Sequence, residues 1–150
     1  NFFINNLTIT GEYTFTNPYV YMHATETQDY TSNKYNMGHY LRDNSQEFYL
    51  SLYYKPIRGL NLKLSYSLAQ HGDDYGDDDC GHCAPVLENI IWQNQNVYFG
   101  ASYEIVANTY AFIDLSIQNI TGEQKKIEEY SPEYYWGETN TFTAGFNIGF

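Results

Sequence analysis

The chain is 150 residues long, about the length of one ordinary domain, and its 7 basic against 18 acidic side chains give a formal charge of −11. That charge excludes a general nucleic-acid binder, which needs a basic face for the phosphates. No apolar run approaches the roughly 20 residues of a membrane helix, but a mean hydropathy of −0.53 leaves membrane strands open, because their alternation hides in such an average.

Period-two alternation dominates, and no long stretch has a helical period. Six strands are predicted. The first, Leu7 to Thr16, puts Leu7, Ile9, Tyr13 and Phe15 against Thr8, Thr10, Glu12 and Thr14. The second, Phe48 to Pro56, puts Phe48, Leu50, Leu52 and Tyr54 against Tyr49, Ser51, Tyr53 and Lys55. The third, Asn61 to His71, sets Leu62, Leu64, Tyr66 and Leu68 against Lys63, Ser65 and Ser67. The fourth, Gln95 to Val106, sets Val97, Phe99 and Tyr103 against Tyr98, Gly100, Ser102 and Glu104. The fifth, Tyr110 to Ile120, sets Ile113, Leu115 and Ile117 against Asp114, Ser116 and Gln118. The sixth, Asn140 to Phe150, sets Phe142, Phe146, Ile148 and Phe150 against Thr143, Gly145 and Asn147.

The connections alternate in length. Ile57-Arg58-Gly59-Leu60 reads as a tight hairpin with Gly in the turn, and Ala107-Asn108-Thr109 as a second short turn. The connections Asn17 to Glu47, Gly72 to Asn94 and Thr121 to Thr139 are long, which in a compact soluble domain is unusual. Short turns at one end and long loops at the other suit an antiparallel transmembrane β-barrel of the outer-membrane type. The strands also approach the roughly 9–11 residues that cross a bilayer at a tilt. A soluble β-sandwich gives the same alternation with its apolar face inward. Aromatic residues at 19% and charged residues at 17%, below the roughly 25% usual in soluble domains, are compatible with both.

The last strand chooses between them. Phe146, Ile148 and Phe150 recur at every second position up to a terminal aromatic residue. This resembles the C-terminal signal that the barrel-assembly machinery reads on bacterial outer-membrane proteins; an unpaired strand offers its edge for templated pairing. Six strands fall short of the roughly eight of the smallest membrane barrels, and an open edge in lipid costs several kcal/mol per unpaired backbone group. The expectation is the C-terminal part of one larger barrel domain with its other strands upstream of Asn1. Several copies closing one barrel together is the alternative.

The segment Tyr35-Asn36-Met37-Gly38-His39-Tyr40-Leu41-Arg42-Asp43-Asn44 resembles the Tyr-Asn-x-Gly-His-x-Leu-x-x-Asn stretch of Wzi-like capsule-assembly outer-membrane proteins, in their Bacteroidota branch. The hairpin Tyr54-Lys55-Pro56-Ile57-Arg58-Gly59-Leu60, Ile91-Trp92, and Gly137-Glu138-Thr139-Asn140-Thr141 leading into Gly145-Phe146-Asn147-Ile148-Gly149-Phe150 are similar in the same order. The resemblance spans roughly Leu7 to Phe150. It implies a many-stranded monomeric barrel that binds or organises surface polysaccharide, with no established reaction. Arg42, where a small residue is expected, and the cysteine-bearing loop depart from the pattern.

In the first long loop, aromatic faces suit sugar rings, and amide, carboxylate and guanidinium groups suit their hydroxyls. Tyr35, His39, Tyr40, Arg42, Asp43 and Asn44 are the candidate polysaccharide-binding residues. The alternative is that they fold the loop inward as a plug, or that the tyrosines belong to an interfacial girdle.

The loop from His71 to Cys83 leaves several readings open. Asp73, Asp74, Asp77, Asp78 and Asp79 suit a hard cation such as Ca²⁺, without the ordered spacing of an EF-hand. Cys80, Cys83, His82 and His71 make a four-ligand set for Zn²⁺. Cys80-Gly81-His82-Cys83 matches the motif of disulfide isomerases, but no thioredoxin-like scaffold accompanies it. A loop-closing disulfide between Cys80 and Cys83, beside a solvated acidic surface, is the remaining reading. No cofactor is required by any other feature of the sequence.

On the polar strand faces, Glu12, Lys55, Lys63, Glu104 and Asp114 are expected to face the lumen and pair there, since buried charges need partners. Lys125 and Lys126, between Glu123 and Glu128-Glu129, read as an ordinary solvated loop. There is no nucleophile elbow, phosphate loop or metalloprotease helix. The sequence therefore points to binding without catalysis at a bacterial cell surface. The implied partners are outer-membrane lipid, surface polysaccharide and, during biogenesis, the barrel-assembly machinery. A porin-like or transport-associated barrel subunit of a larger envelope complex, and a soluble sugar-binding β-sandwich, are the competing readings.

Overall fold

The computed structural model describes residues 5–20, 31–32, 35–36, 38–73 and 86–149. The fold is all-β. Strands β1 (Leu7–Thr16), β4 (Ser45–Tyr54), β5 (Leu60–Gly72), β6 (Ile90–Val106), β7 (Thr109–Gly122) and β8 (Gly137–Ile148) form one sheet in that order. Every neighbouring pair is antiparallel. Two short strands, β2 (Thr31–Ser32) and β3 (Tyr35–Asn36), pair with each other in the first long connection. The six-stranded sheet is not closed: β1 and β8 each have a single neighbour.

The short turns form where residues tolerate a left-handed backbone. Gly59 has φ +83°, and its carbonyl accepts the Glu104 amide at 3.0 Å, tying the β4–β5 hairpin to β6. Asn108 turns β6 into β7 at φ 60°, a region asparagine visits more readily than most residues.

Several strands run past the ends that alternation predicts. β6 begins at Ile90 instead of Gln95, β4 at Ser45 instead of Phe48, β8 at Gly137 instead of Asn140, and β7 continues to Gly122. Apolar alternation stops at those points, but the ladder continues because backbone pairing needs no apolar side chain. The third long connection is not without structure either. It holds helix α1 (Gln124–Tyr130) and a 3₁₀ turn (Glu133–Tyr135). No described helix is long and apolar enough to cross a membrane.

Register assigns the faces. Leu52, Leu64, Phe99, Leu115 and Phe142 lie in one row across the sheet, and Ser51, Ser65, Tyr98, Ser116 and Thr141 in the next row on the opposite face. The apolar face is the open one. Leu64 is 46% exposed, Phe99 40% and Ile113 48%, although β5, β6 and β7 are central strands with neighbours on both sides. Phe146 and Ile148 also project from that face and are exposed, whereas Phe150 lies outside the described residues.

The opposite face satisfies itself with cross-strand hydrogen bonds. Tyr98 donates to Asp114 at 2.6 Å, Ser116 to Asn96 at 2.9 Å, Gln118 to Asn94 at 3.1 Å, and Tyr53 to Asn61 at 2.7 Å. Register puts Glu12, Lys63, Glu104 and Asp114 on this polar face. Lys55 follows the end of β4 with its ammonium 5.4 Å from the Tyr53 ring centre, and Lys63 stands 5.6 Å from that of Tyr98. Neither lysine forms an ion pair with a described residue.

Candidate functional site

The long connections converge at one end of the sheet, over its polar face. Ala69, Trp92 and Ile120 project from that face at the ends of β5, β6 and β7. Leu41, from the first connection, and Ile127, from α1, pack with them, and Tyr130 and Trp136 lie against the group. Burial of this cluster explains α1. The helix has no side-chain cap, and Ile127 is its buried anchor, so tertiary packing supplies what seven residues of propensity do not.

Aromatic and polar contacts lock the cluster. Trp92 Nε1 donates to Ser131 Oγ at 3.0 Å, and Trp136 Nε1 to the Ser131 carbonyl at 2.9 Å. His71 is 1% exposed, and its ring lies tilted against that of Tyr130 with centres 5.0 Å apart. Its Nδ1 is 2.6 Å from the Gly72 carbonyl and its Nε2 is 3.2 Å from the Tyr130 hydroxyl. Both ring nitrogens are thus engaged within the protein.

Arg42 places its guanidinium 5.2 Å from the Tyr130 ring centre and 3.1 Å from Glu129 Oε1. Lys126 reaches the other Glu129 oxygen at 2.8 Å. The Lys126 hydrogen bond, helped by the charges of Lys126 and Arg42, holds the Glu129 carboxyl below the ordinary glutamate value. Lys126 accordingly lies on a helix, in a charge triad with Glu129 and Arg42, and is not the solvated loop residue that sequence suggests.

Asn44 is the junction of the first two connections. Its backbone is left-handed, at φ 47°, and its side chain is 1% exposed. Its N–H donates to the Asn17 carbonyl at 3.1 Å, and its own carbonyl accepts the Gly72 amide at 2.8 Å. Its carboxamide donates to the Asp73 carbonyl and accepts from the Leu87 amide, each at 2.9 Å. Asp43 accepts the Tyr19 amide at 3.1 Å. The Thr16 hydroxyl donates to the Arg42 carbonyl at 2.8 Å and stands 2.7 Å from Ser45 Oγ.

The candidate sugar-binding residues therefore divide. Arg42, Asp43 and Asn44 spend their polar groups on holding the loops together. Tyr40, 64% exposed, presents aromatic surface to solvent, and the half-buried His39 lies beside it with ring centres 4.7 Å apart. His39 Nε2 also stands 3.7 Å from a Glu47 oxygen. Tyr35 sits in β3, in register with Ser32. Tyr134, 73% exposed and edge-on to Tyr135 at 5.0 Å, is a second aromatic pair at this end that sequence reasoning missed. Adjacent aromatic residues in a loop give little signal without knowing which connection lies beside which.

Of the acidic loop, Asp73 is described: its carboxylate accepts from the Asn89 amide group. Asp74, Asp77, Asp78, Asp79, Cys80, His82 and Cys83 lie outside the described residues. Among the described residues no group of three or more His, Cys, Asp or Glu is assembled to hold a metal ion. No protein-family model, curated protein or solved structure matches the chain.

Proposed function

We propose that this sheet is part of a transmembrane β-barrel of a bacterial outer membrane, closed by further strands, that serves in surface polysaccharide attachment or capsule assembly by binding and not by catalysis. The observation that carries the membrane reading is the inverted burial. Apolar side chains of central strands lie open, while the polar face is hydrogen-bonded and partly covered by loops. In water such a face invites aggregation; in lipid it is the stable arrangement.

The dimensions agree. On β5 the outward apolar residues run from Leu60 to Leu68, roughly 27 Å along the strand and about 20 Å in height at a tilt near 40°, close to the roughly 25 Å apolar band of such barrels. Tyr13 at one margin and Tyr54 and Tyr103 at the other suit interfacial girdles. The polysaccharide role rests on the resemblance of the 35–44 segment and on the exposed Tyr40 and Tyr134 at the loop end. The loop cluster over the polar face favours binding over free conduction.

Two measurements test this. The protein extracted from its native membrane should need detergent and should migrate as a folded, SDS-resistant species until boiled. Cells carrying Tyr40→Ala with Tyr134→Ala should shed more surface polysaccharide than wild type at equal protein level. Aqueous solubility without detergent would overturn the barrel. Unchanged retention would overturn the polysaccharide role.

A further inference from the structure

We propose that an outward-facing strip of amide side chains, Gln46, Gln70, Gln93, Gln95 and Asn119, docks the saccharide headgroup of a membrane glycolipid. The inference rests on the membrane reading and names what the rim of that surface recognises. Gln46, Gln70 and Gln93 are direct cross-strand neighbours on β4, β5 and β6, and Gln95 pairs with Asn119 one row nearer the apolar band. All five share the face of Leu64, Val97, Phe99 and Leu115, at the end of the sheet where the long connections emerge.

The amides form a directed chain. Tyr13 donates to Gln46 Oε1 at 3.0 Å, Gln46 Nε2 to Gln70 Oε1 at 2.6 Å, and Gln70 Nε2 to Gln93 Oε1 at 2.6 Å. Gln95 Nε2 donates to the Tyr66 hydroxyl at 3.1 Å. At the border of a hydrocarbon layer this linkage matters, because unpaired polar groups there cost several kcal/mol each. Each carboxamide has two N–H donors and two lone pairs, and the chain uses only part of them. The remaining valence suits neutral hydroxyl partners.

The surrounding chemistry selects among headgroups. No Lys or Arg stands on the outward face of these two rows, and Glu138 is their single charge, so phosphate is not the recognised group. Tyr13, 64% exposed at the head of the chain, offers a ring for the C–H face of a sugar. Acyl chains lying on Leu50, Leu64 and Phe99 would place the first sugars of the same lipid against the strip. A purely structural ladder of cross-strand pairs would give the same hydrogen bonds but no lipid preference.

The test is native mass spectrometry of the full-length, detergent-extracted protein with digalactosyl diacylglycerol or phosphatidylcholine of matched acyl chains, and with free digalactose. Wild type should retain the glycolipid roughly fivefold over the phospholipid, as one or two extra hydrogen bonds would give, and should retain no free disaccharide. Gln70→Met with Gln93→Met should bring the ratio to about one. Gln118→Met, on the opposite face of β7, should leave it unchanged. Should the double variant fail to give the SDS-resistant form, Gln93→Met alone serves, since that residue ends the chain. Equal retention of both lipids by wild type, or a preference that survives the Gln93 change, overturns the strip and leaves the barrel standing. A protein that stays soluble without detergent overturns both.

Discussion

The carboxamide of Asn44 packs against the bare Cα of Gly72, so close that a Cβ at Gly72 would come within 2.9 Å of Asn44 Cγ. The two residues also share a backbone hydrogen bond of 2.8 Å. This contact joins the first long connection to the second, and through Leu87 it reaches the far side of the acidic loop. Asn44→Ala would orphan the Leu87 amide and the Asp73 carbonyl and cost about 1–3 kcal/mol. Gly72→Ala would push the carboxamide out of place and act in the same direction. Limited proteolysis of the folded protein should show faster cleavage in the loops of both variants. Unchanged cleavage would refute Asn44 as the junction.

Trp92 anchors the cluster from the sheet side. Trp92→Phe keeps a ring but loses the bond to Ser131, and should cost about 1 kcal/mol. Trp92→Ala also opens a cavity beneath Ile127 and Tyr130 and should cost about 3–5 kcal/mol. The ordering Ala worse than Phe worse than wild type, read from denaturant midpoints, checks the packing role.

The Glu129 triad makes loop stability depend on pH. Its carboxyl is held low in the folded protein, so the stabilisation is present above the unfolded glutamate value and is lost as pH falls through the lowered folded value. Protease resistance of the 123–136 connection should therefore drop on acidification below the ordinary glutamate range. Glu129→Gln should be weaker at neutral pH and should lose that acid-linked part of the response. An identical pH profile in the variant would contradict the assignment.

On the polar face, Gly100 leaves room for Tyr98 to lie across the backbone and reach Asp114, and Gly145 does the same beneath the Phe112 ring. Adding a Cβ at Gly145 would meet that ring at 2.9 Å. Gly100→Val and Gly145→Val should each cost about 1–3 kcal/mol by overpacking. Folding titrations in detergent measure it, and a neutral result at both would mean that the rings have other places to go.

Charge on the open face separates lipid from water most directly. Leu115 sits in the middle row of the apolar face and is 37% exposed. In a bilayer Leu115→Arg should cost about 2–4 kcal/mol for insertion and folding into vesicles. On a sheet facing water the same change should be close to neutral. Urea titration in the presence of vesicles distinguishes the two.

Much of this molecule is legible in its sequence. β1 runs from Leu7 to Thr16 in the chain and in the structure alike, and the Gly59 turn falls where the hairpin was expected. Alternation is a local property, so it survives reading without neighbours. Asn44 was legible only as a polar residue in a segment resembling a sugar-binding family. Its partners Asn17, Gly72, Asp73 and Leu87 come from two separate connections, and no local pattern announces such a meeting. α1 was missed for a similar reason. Its seven residues have no capping side chain, and what holds it is the cluster around Ile127.

The sequence by itself determined where the six long strands lie and which side chains share a face, because successive residues of a strand project to opposite sides. Only the tertiary structure decided which face is covered. Trp92, Ile120 and Ala69 stand at the loop end of the polar face, and there the chain folds back to bury them; among the described residues no loop covers the opposite face, which keeps its leucines and phenylalanines open.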